Sequence, residues 1–171
     1  MCKLYTADSF EDRQRAQELF TELLQYVNDN FFQKFGEGFD VQAMVAEWIS
    51  RLQEFSPPNG SLVLAAVGTE VAGVGGLRNI GERMGEIKHF YVRPQFRRRG
   101  LGRKLLDNLL EQSISMGYTV LRLDTGWFME AAQALYHSIG FRDVAPYPES
   151  EIPKEIQHLW VYMEKDLTAP T

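Results

Sequence analysis

The spacing of apolar side chains in the first third of the chain predicts a short strand followed by two helices. Cys2–Thr6 is the strand, and from Ser9 onward apolar residues return every three or four positions, which is the period of a helix. Ser9 is placed to cap that helix, and a glycine-bearing loop at 34–40 ends it. Asp40 is placed to cap the second helix, whose apolar face comprises Val41, Met44, Val45, Trp48, Ile49 and Leu52.

Beyond the turn sequence Pro-Pro-Asn-Gly at 57–60, the apolar pattern takes the two-residue period of strands. Ser61–Val67 and 71–79 predict a hairpin, a polar turn at 80–85 follows, and 86–92 predicts a third strand. The rest predicts helix 101–116, strand 119–124, helix 129–139, strand 141–144, a long acidic loop at 146–155 and strand 158–165. The order β-α-α-β-β-β-α-β-α-β-β predicts a mixed α/β fold in one domain over 1–167, with a flexible tail at 168–171.

Composition narrows the class of protein. Of 171 residues, 44% are hydrophobic and 24% are charged, which is ordinary for a soluble globular domain with a sizeable core. Cys2 is the only cysteine, so no intrachain disulfide can form, and a reducing cytoplasm is the expected compartment. The apolar run 62–67 is too short to span a membrane, and no leader is visible. His89, His137 and His158 lack the spacing of metal ligands, so no metal is expected.

A dense basic stretch stands out in this acidic chain, whose formal net charge is −5. Six basic residues and no acid lie between Arg93 and Lys104, where strand 86–92 leads into helix 101–116. The first turn of a helix offers unpaired N–H groups and partial positive charge, and Gly100 and Gly102 would let an anion reach the main chain. The stretch therefore predicts a cradle for a phosphate group, most simply a diphosphate.

The pattern R-x-x-G-x-G at 97–102 belongs to a longer match of about sixty residues. It runs from G-E-I-K-H-F-Y-V-R-P-Q-F-R-R-R-G-L-G-R-K-L-L through L-R-L-D-T to A-L-Y-H-S-I-G-F. In this order the segments resemble the GNAT superfamily of acyl-CoA-dependent N-acetyltransferases, in particular its small bacterial single-domain members. The resemblance implies a mostly antiparallel central sheet of about seven strands with helices on both faces. It also implies acetyl-CoA as the acetyl donor.

The same resemblance implies which residues hold the donor. Main-chain amides of the basic loop would bind the diphosphate, and strand 90–92 would pair with the pantetheine arm, with one amide near the thioester oxygen. Ala132 lies four residues before Tyr136 on one helical face and leaves room for the arm. The implied binding residues are Phe90, Tyr91, Val92, Arg97, Arg98, Arg99, Gly100, Leu101, Gly102, Arg103 and Ala132.

Two residues are candidates for proton transfer during direct attack of an amine on the thioester. Tyr136 matches a family tyrosine that lies beside the thioester sulfur, and a phenol can donate a proton to the departing thiolate; otherwise it is a core tyrosine. Glu86 is the candidate base by its position on the strand. His89 and a positioned water are rivals for that role, and a simple ion pair of Glu86 with Lys88 is the alternative.

The acceptor is expected to be a small-molecule primary amine or amino acid. Two acidic loops, 34–40 and 146–155, favour a cationic acceptor, and the predicted contacts are Glu37, Asp40, Asp124 and Tyr147. Asp124 is equally placed to be a turn-capping acid. The alternatives are a protein or peptide amine as acceptor, or a non-catalytic acetyl-CoA-binding module. Nucleic-acid binding is not expected, because no second basic stripe accompanies the first, and the short apolar runs argue against a membrane. A homodimer is left open.

Overall fold

A computed structural model describes residues 1–168, which form a seven-stranded sheet with helices on both faces. The order across the sheet is β1-β2-β3-β4-β5-β7-β6, and every neighbouring pair is antiparallel except β4 and β5. This confirms the predicted fold class. The strands are β1 (Cys2–Thr6), β2 (Ser61–Val67), β3 (Glu70–Gly81), β4 (Met84–Val92), β5 (Val120–Gly126), β6 (Arg142–Val144) and β7 (Trp160–Asp166).

Four α-helices flank the sheet, and the first two begin at the predicted caps. The Ser9 hydroxyl accepts a bond from the Asp12 amide at 3.1 Å, and the Asp40 carboxylate accepts one from the Ala43 amide at 3.0 Å. The helices are α1 (Phe10–Phe35), α2 (Val41–Ser50), α3 (Leu101–Ser115) and α4 (Glu130–Ser138). Short 3-10 turns cover Leu52–Phe55, Pro94–Phe96 and Lys154–Leu159.

Several element boundaries differ from the prediction. Helix α1 runs on to Phe35, because Gly36 (φ 75°) is the residue that takes the left-handed conformation and closes the helix. Strands β3 and β4 meet at a tight turn at 82–83, shorter than the predicted turn. The last strand begins at Trp160, because the preceding residues form a 3-10 turn. Of the predicted tail, Thr168 bonds to Asp166, and 169–171 lie outside the described residues.

The sheet divides the core into two layers, following the alternation of side chains along its strands. On one face, Leu62 and Leu64 of β2 pack against Leu19 of α1 and Trp48 of α2. On the other face, Val63 packs in the cluster that α3 contributes most to, through Leu105, Leu106 and Leu109. Within residues 1–168, no helix is both long and apolar enough to cross a bilayer.

Strands β4 and β5 stay together for only part of their length. Their parallel pairing joins residues 84–87 of β4 to residues 120–123 of β5. Beyond this point β4 continues to Val92 along β3, and β5 continues to Gly126 along β7. The sheet therefore opens into a gap beyond Ile87. The gap is the feature around which the functional site is built.

Candidate active site

The basic loop adopts the conformation that an anion cradle requires. Arg98 (φ 58°) and Gly100 (φ 74°) both take left-handed conformations, separated by one residue, directly before α3 begins at Leu101. Left-handed residues among right-handed ones turn successive backbone amides toward one concave site. Gly100 has no side chain to cap the helix, so no side chain of the cap residue occupies the first amides of α3. A Cβ at Gly100 would meet nothing within 4 Å, so the space before the helix mouth is open.

The arginine side chains of this loop have separate partners. The Arg97 Nε donates to the Val92 carbonyl at 2.8 Å, and its guanidinium lies 5.7 Å from the Tyr91 ring, which ties the loop to β4. Arg103 pairs with Asp107 one turn along α3, at 2.9 Å. Arg98 and Arg99 are exposed. The side chains near the helix mouth therefore supply positive charge, while the main chain remains available for direct contact.

The gap between β4 and β5 is flanked by side chains of α3 and α4. The Phe90 and Tyr136 rings pack edge to face with centroids 5.8 Å apart. A Cβ at Gly102 would lie 3.4 Å from Leu135 and 3.9 Å from Phe90, so glycine keeps this corner open. Ala132 is partly buried beside the same cluster. Phe90, Gly102 and Ala132, three of the predicted donor-binding residues, thus lie in one cluster at the gap.

A cleft of about 680 Å³ lies on the α1 and α2 side of the sheet and reaches the gap. Its floor includes Lys88 and Asp124, and both Phe90 and Tyr136 contribute to its lining, so the cleft and the gap share a boundary. The walls come from α1, α2, the loop between them and the loop before β7. A volume of this size suits a small-molecule ligand.

A β-bulge in β4 places His89 on the cleft side. Lys88 lies opposite Gly76 and Tyr91 opposite Val74, so His89 (φ 56°) and Phe90 together oppose Gly75. Simple alternation would turn His89 away from Glu86. The bulge instead brings its ring against Phe20, with centroids 4.3 Å apart, and into contact with Trp48 and Phe55.

The surroundings of His89 keep its ring neutral. Burial, followed by the positive charges of Lys88, Arg78 and Arg51, lowers the pKa of His89 well below its ordinary value. A neutral imidazole with a lowered pKa is a weak base, and it lacks the acidic proton of the charged form.

Glu86 lies beneath the cleft and is fully buried, at 0% exposure. The Arg78 guanidinium donates to its Oε2 from Nε at 2.8 Å and from Nη2 at 2.7 Å, and the Tyr147 hydroxyl donates to Oε1 at 2.8 Å. The alternative partner, Lys88, is not the one found. With both oxygens held by neighbours, this carboxylate is badly placed to take a proton directly from an acceptor amine.

Lys88 and Asp124 form part of the floor of the cleft, and both side chains are largely buried. The Lys88 Nζ lies 3.4 Å from Asp124 Oδ2 and 3.5 Å from Glu151 Oε2. Burial alone would lower the pKa of Lys88, but Asp124, Glu86 and Glu151 raise it above its ordinary value, so it stays charged. Asp124 follows the last residue of β5 that pairs with β4, so its carboxylate stands where the gap begins.

Tyr136 also lies where the gap meets the cleft, close enough to Asp124 to feel its charge. Its side chain is buried at 4% exposure and packs between Phe90 and Phe141. Burial, and then the negative charge of Asp124, raise the pKa of Tyr136 above its ordinary value. The phenol is therefore protonated throughout the physiological range, and its hydroxyl can donate a hydrogen bond.

The predicted acceptor contacts divide into two groups. Glu37 lines the cleft, as Asp124 does, whereas Asp40 is the exposed cap of α2. Tyr147 is buried on Tyr162 and directs its hydroxyl to Glu86, so it supports the floor from below. Burial and the charge of Glu86 raise the pKa of Tyr147.

Sequence reasoning missed the ionic cluster under the cleft. Glu151 accepts from Arg51 and from Arg78 (3.1 Å), and Glu54 accepts from Arg51 (2.7 Å) and Arg78 (2.9 Å). Burial alone would raise the pKa of Glu151, but Lys88, Arg78 and Arg51 lower it. The sequence signal that could have indicated this cluster is Arg78, since a lone arginine in an apolar strand needs a buried partner. Among the described residues, no group of three His, Cys, Asp or Glu side chains could hold a metal ion.

The cleft and the gap meet at Phe90 and Tyr136, an arrangement that suits the transfer of a group between two ligands. Comparison with known proteins identifies the class as an acetyltransferase. The sequence model of the Acetyltransferase (GNAT) family matches residues 20–141, and the chain belongs to this family.

Named relatives fall in the same class. An uncharacterised N-acetyltransferase of Schizosaccharomyces pombe is 30% identical over 128 residues, covering 74% of this chain and 78% of the relative. The IAA acetyltransferase of Azospirillum brasilense is 31% identical over 117 residues, covering 68% and 74% of the two chains. The alanine N-acetyltransferase of ribosomal protein bS18 from Salmonella typhimurium is 44% identical over 52 residues, which cover 30% and 35%.

Solved structures share the whole fold at low identity. A GNAT-family acetyltransferase of Staphylococcus aureus superposes with a TM-score of 0.79 at 17% identity, covering 98% of this chain and 100% of that one. The PaiA N-acetyltransferase of Thermoplasma acidophilum, solved in complex with coenzyme A, gives a TM-score of 0.72 at 15% identity, covering 97% and 99%. The seven-stranded arrangement is thus that of the family.

Proposed function

We propose that the protein transfers the acetyl group of acetyl-CoA to the primary amine of a small molecule by direct attack. The observation that carries this proposal is the meeting of the acceptor cleft and the β4–β5 gap at Phe90, Asp124 and Tyr136. A donor in the gap and an acceptor in the cleft would reach each other only there. The coenzyme A complex of the Thermoplasma relative supports the choice of donor.

The residues of the gap fit this donor. The left-handed pair Arg98 and Gly100 and the first amides of α3 would hold the diphosphate, with charge from Arg99. The side of β4 that faces the gap beyond Ile87 offers main-chain groups to the amides of a pantetheine arm, in the manner of an added strand. Acetyl-CoA supplies the thioester carbon that accepts the amine.

Tyr136 is proposed as the proton donor to the departing thiolate. It lies at the boundary of gap and cleft, and burial keeps its hydroxyl protonated. The backbone amide of Phe90 is proposed to donate to the thioester oxygen, because the bulge at His89 interrupts the regular ladder at this point.

Asp124 replaces Glu86 as our proposed proton acceptor, directly or through a water. A protonated amine must lose one proton before it can attack, and Asp124 is the carboxylate that opens on the cleft beside Tyr136. Glu86 is proposed as a positioning residue that fixes Arg78 and Tyr147 beneath the floor. His89 is a lesser candidate, because its lowered pKa makes it a weak base.

A protein N-terminus is the second candidate acceptor, favoured by the likeness to the bS18 alanine N-acetyltransferase over 52 residues. The cleft argues for a small molecule, because the loop carrying Glu151 is tied by ion pairs to Arg51 and Arg78 and narrows the access that a polypeptide would need.

Two measurements test the proposal. Titration calorimetry of the whole protein with acetyl-CoA is expected to show one saturable site, with ATP and NAD as controls. Thiol release from acetyl-CoA is then followed with a panel of small amines and with a peptide beginning in alanine. Faster release with small amines supports the proposal. Faster release with the peptide favours the protein acceptor, and saturable binding with no release on any amine favours a non-catalytic module.

A further inference from the structure

The far wall of the acceptor cleft is aromatic. Phe31 and Phe35 of α1, Phe39 of the following loop and Trp160 at the start of β7 all line it. Their rings contact one another, with Phe31 centroids 5.3 Å from Phe35, 6.0 Å from Phe39 and 5.7 Å from Trp160. Separate elements of the chain thus converge on one aromatic surface, which offers both ring faces and ring edges to an apolar ligand.

Much of the remaining lining is aliphatic and consists of Leu23, Leu24, Val27, Met44, Ile152 and Ile156. Neutral hydrogen-bonding groups are fewer, and they include the hydroxyl of Thr125 and the Trp48 Nε1–H, which has no partner in the described structure. An apolar body attached to the amine would gain from burial against the aliphatic side chains.

Every cation that lines the cleft already has carboxylate partners. Arg51 pairs with Glu54 and Glu151, Arg78 with Glu86, Glu54 and Glu151, and Lys88 with Asp124 and Glu151. A carboxylate on the acceptor would therefore have to displace one of these acids. The floor is not built to receive an anion.

The same cluster contains more acids than cations. Arg51, Arg78 and Lys88 face five carboxylates, those of Glu47, Glu54, Glu86, Asp124 and Glu151. A positive charge on a ligand would offset part of this excess. The acids Glu37 and Glu155, which also line the cleft, add to the attraction for a cation.

We infer that the acceptor is an aromatic alkylamine with no carboxylate. This inference rests on the proposed function and names the substrate class of the same cleft. The ammonium group would approach Asp124 and Glu151 at the floor, and the ring would pack on the wall formed by Phe31, Phe39 and Trp160. An aliphatic polyamine carries no ring that could pack on this wall.

The test compares matched amines on the wild-type protein by thiol release at saturating acetyl-CoA. We expect kcat/KM for 2-phenylethylamine and tryptamine to exceed that for phenylalanine and tryptophan by about 100-fold, since the carboxylate would have to be buried beside paired acids. Spermidine is expected to be a poorer substrate by a similar factor. Equal or better rates with the amino acids, or with spermidine, overturn the inference. They leave the proposed acetyl transfer intact, because calorimetry with acetyl-CoA and release on any amine report on that separately.

Two variants locate the preference. Glu151→Gln removes part of the excess negative charge, so the advantage of 2-phenylethylamine over phenylalanine should shrink about tenfold, while Glu149→Gln in the same loop should leave it unchanged. Phe39→Leu should raise KM for 2-phenylethylamine about tenfold without altering acetyl-CoA affinity, and the exposed Phe32→Leu on α1 is its control. An unchanged preference in both Glu151→Gln and Phe39→Leu counts against the inference. If Glu151→Gln does not fold, the wild-type panel and Phe39→Leu still decide it.

Discussion

Arg78 on β3 and Glu86 on β4 form a buried ion pair directly across the two strands. The two residues are partners in the strand register, and both guanidinium contacts to Glu86 Oε2 are shorter than 3 Å. Arg78 is 5% exposed and Glu86 is 0% exposed. The pair lies under the acceptor cleft and couples the middle of the sheet to Glu54 and Glu151.

Glu86→Gln is expected to affect stability far more than the pH dependence of the rate. Removing one partner of a buried pair leaves the other charge poorly compensated, so we expect the free energy of unfolding to fall by about 3 kcal/mol. Urea unfolding measures this. Glu149→Gln breaks a partly exposed pair with Arg122 and should cost less than about 1 kcal/mol. A shifted pH–rate profile in Glu86→Gln would restore Glu86 as the base.

Asp124→Asn is expected to lower kcat by about 100-fold, because a neutral amide cannot take the proton of the ammonium group. The rate should recover partly at high pH, where the free amine is supplied by solution. Acetyl-CoA affinity, measured by calorimetry, should change little. Asp143→Asn, which alters an exposed contact with His137, is the control and should keep the wild-type rate.

Tyr136→Phe is expected to lower kcat by about 100-fold with little change in acetyl-CoA affinity, since the ring packing on Phe90 is retained and only the hydroxyl is lost. Single-turnover thiol release measures the chemical step. Tyr118→Phe serves as the control, because the Tyr118 hydroxyl bonds to the Asn59 carbonyl away from the cleft. Equal rates in Tyr136→Phe and wild type would remove the proposed proton donor.

His89 gives the protein an acid-sensitive core. Its pKa is lowered in the folded state, so the unfolded chain binds more protons between that lowered pKa and about 6.5, and stability falls as the pH drops through this window. One proton corresponds to a slope of about 1.4 kcal/mol per pH unit. His89→Phe, which keeps the contacts with Phe20 and Trp48, should flatten the slope below about pH 6.5, by at most that amount. The exposed His137→Gln should keep it, and equal slopes in His89→Phe and wild type would contradict the assignment.

Comparison of the single variants Gly100→Ala and Gly68→Ala separates the effect of backbone strain on stability from the effect on acetyl-CoA binding. Both glycines have positive φ (74° and 63°) and open space around the missing Cβ, so each substitution should cost about 1 kcal/mol of stability. Gly68 lies in the β2–β3 turn, far along the chain from the helix mouth. Only Gly100→Ala is expected to weaken acetyl-CoA binding, as measured by calorimetry. A similar loss of affinity in both variants would point to a global effect.

The order of elements followed from the sequence because each carries its own local signal. Ser9 and Asp40 are good caps for α1 and α2, Gly36 ends α1, and Pro94 follows the end of β4. The position of the basic glycine loop before a helix could also be predicted from the sequence, since its conformation depends on residues within it. The ends of β3 and β4 were not, because pairing across a two-residue turn overrides the glycines at 81 and 85.

The contacts that form the floor of the cleft could not be predicted from local sequence signals. The partner of Glu86 follows from strand register, and Lys88 meets Asp124 only because parallel strands align them 36 residues apart. Simple alternation gave the wrong face for His89, because the bulge inserts one residue into β4 and reverses the direction of every side chain after it. The aromatic wall joins residues as distant as Phe31 and Trp160, which no local pattern connects.

On the proposed function, the parting of β4 from β5 would link the stability of the protein to its supply of donor. An unpaired strand edge normally lies at the rim of a sheet, whereas this one lies inside, flanked by α3 and α4. A carrier that paired with this edge in the folded chain alone would, at about 100 times its dissociation constant, add about 2.7 kcal/mol to the free energy of unfolding. Chains without the carrier would then unfold more often and be degraded faster.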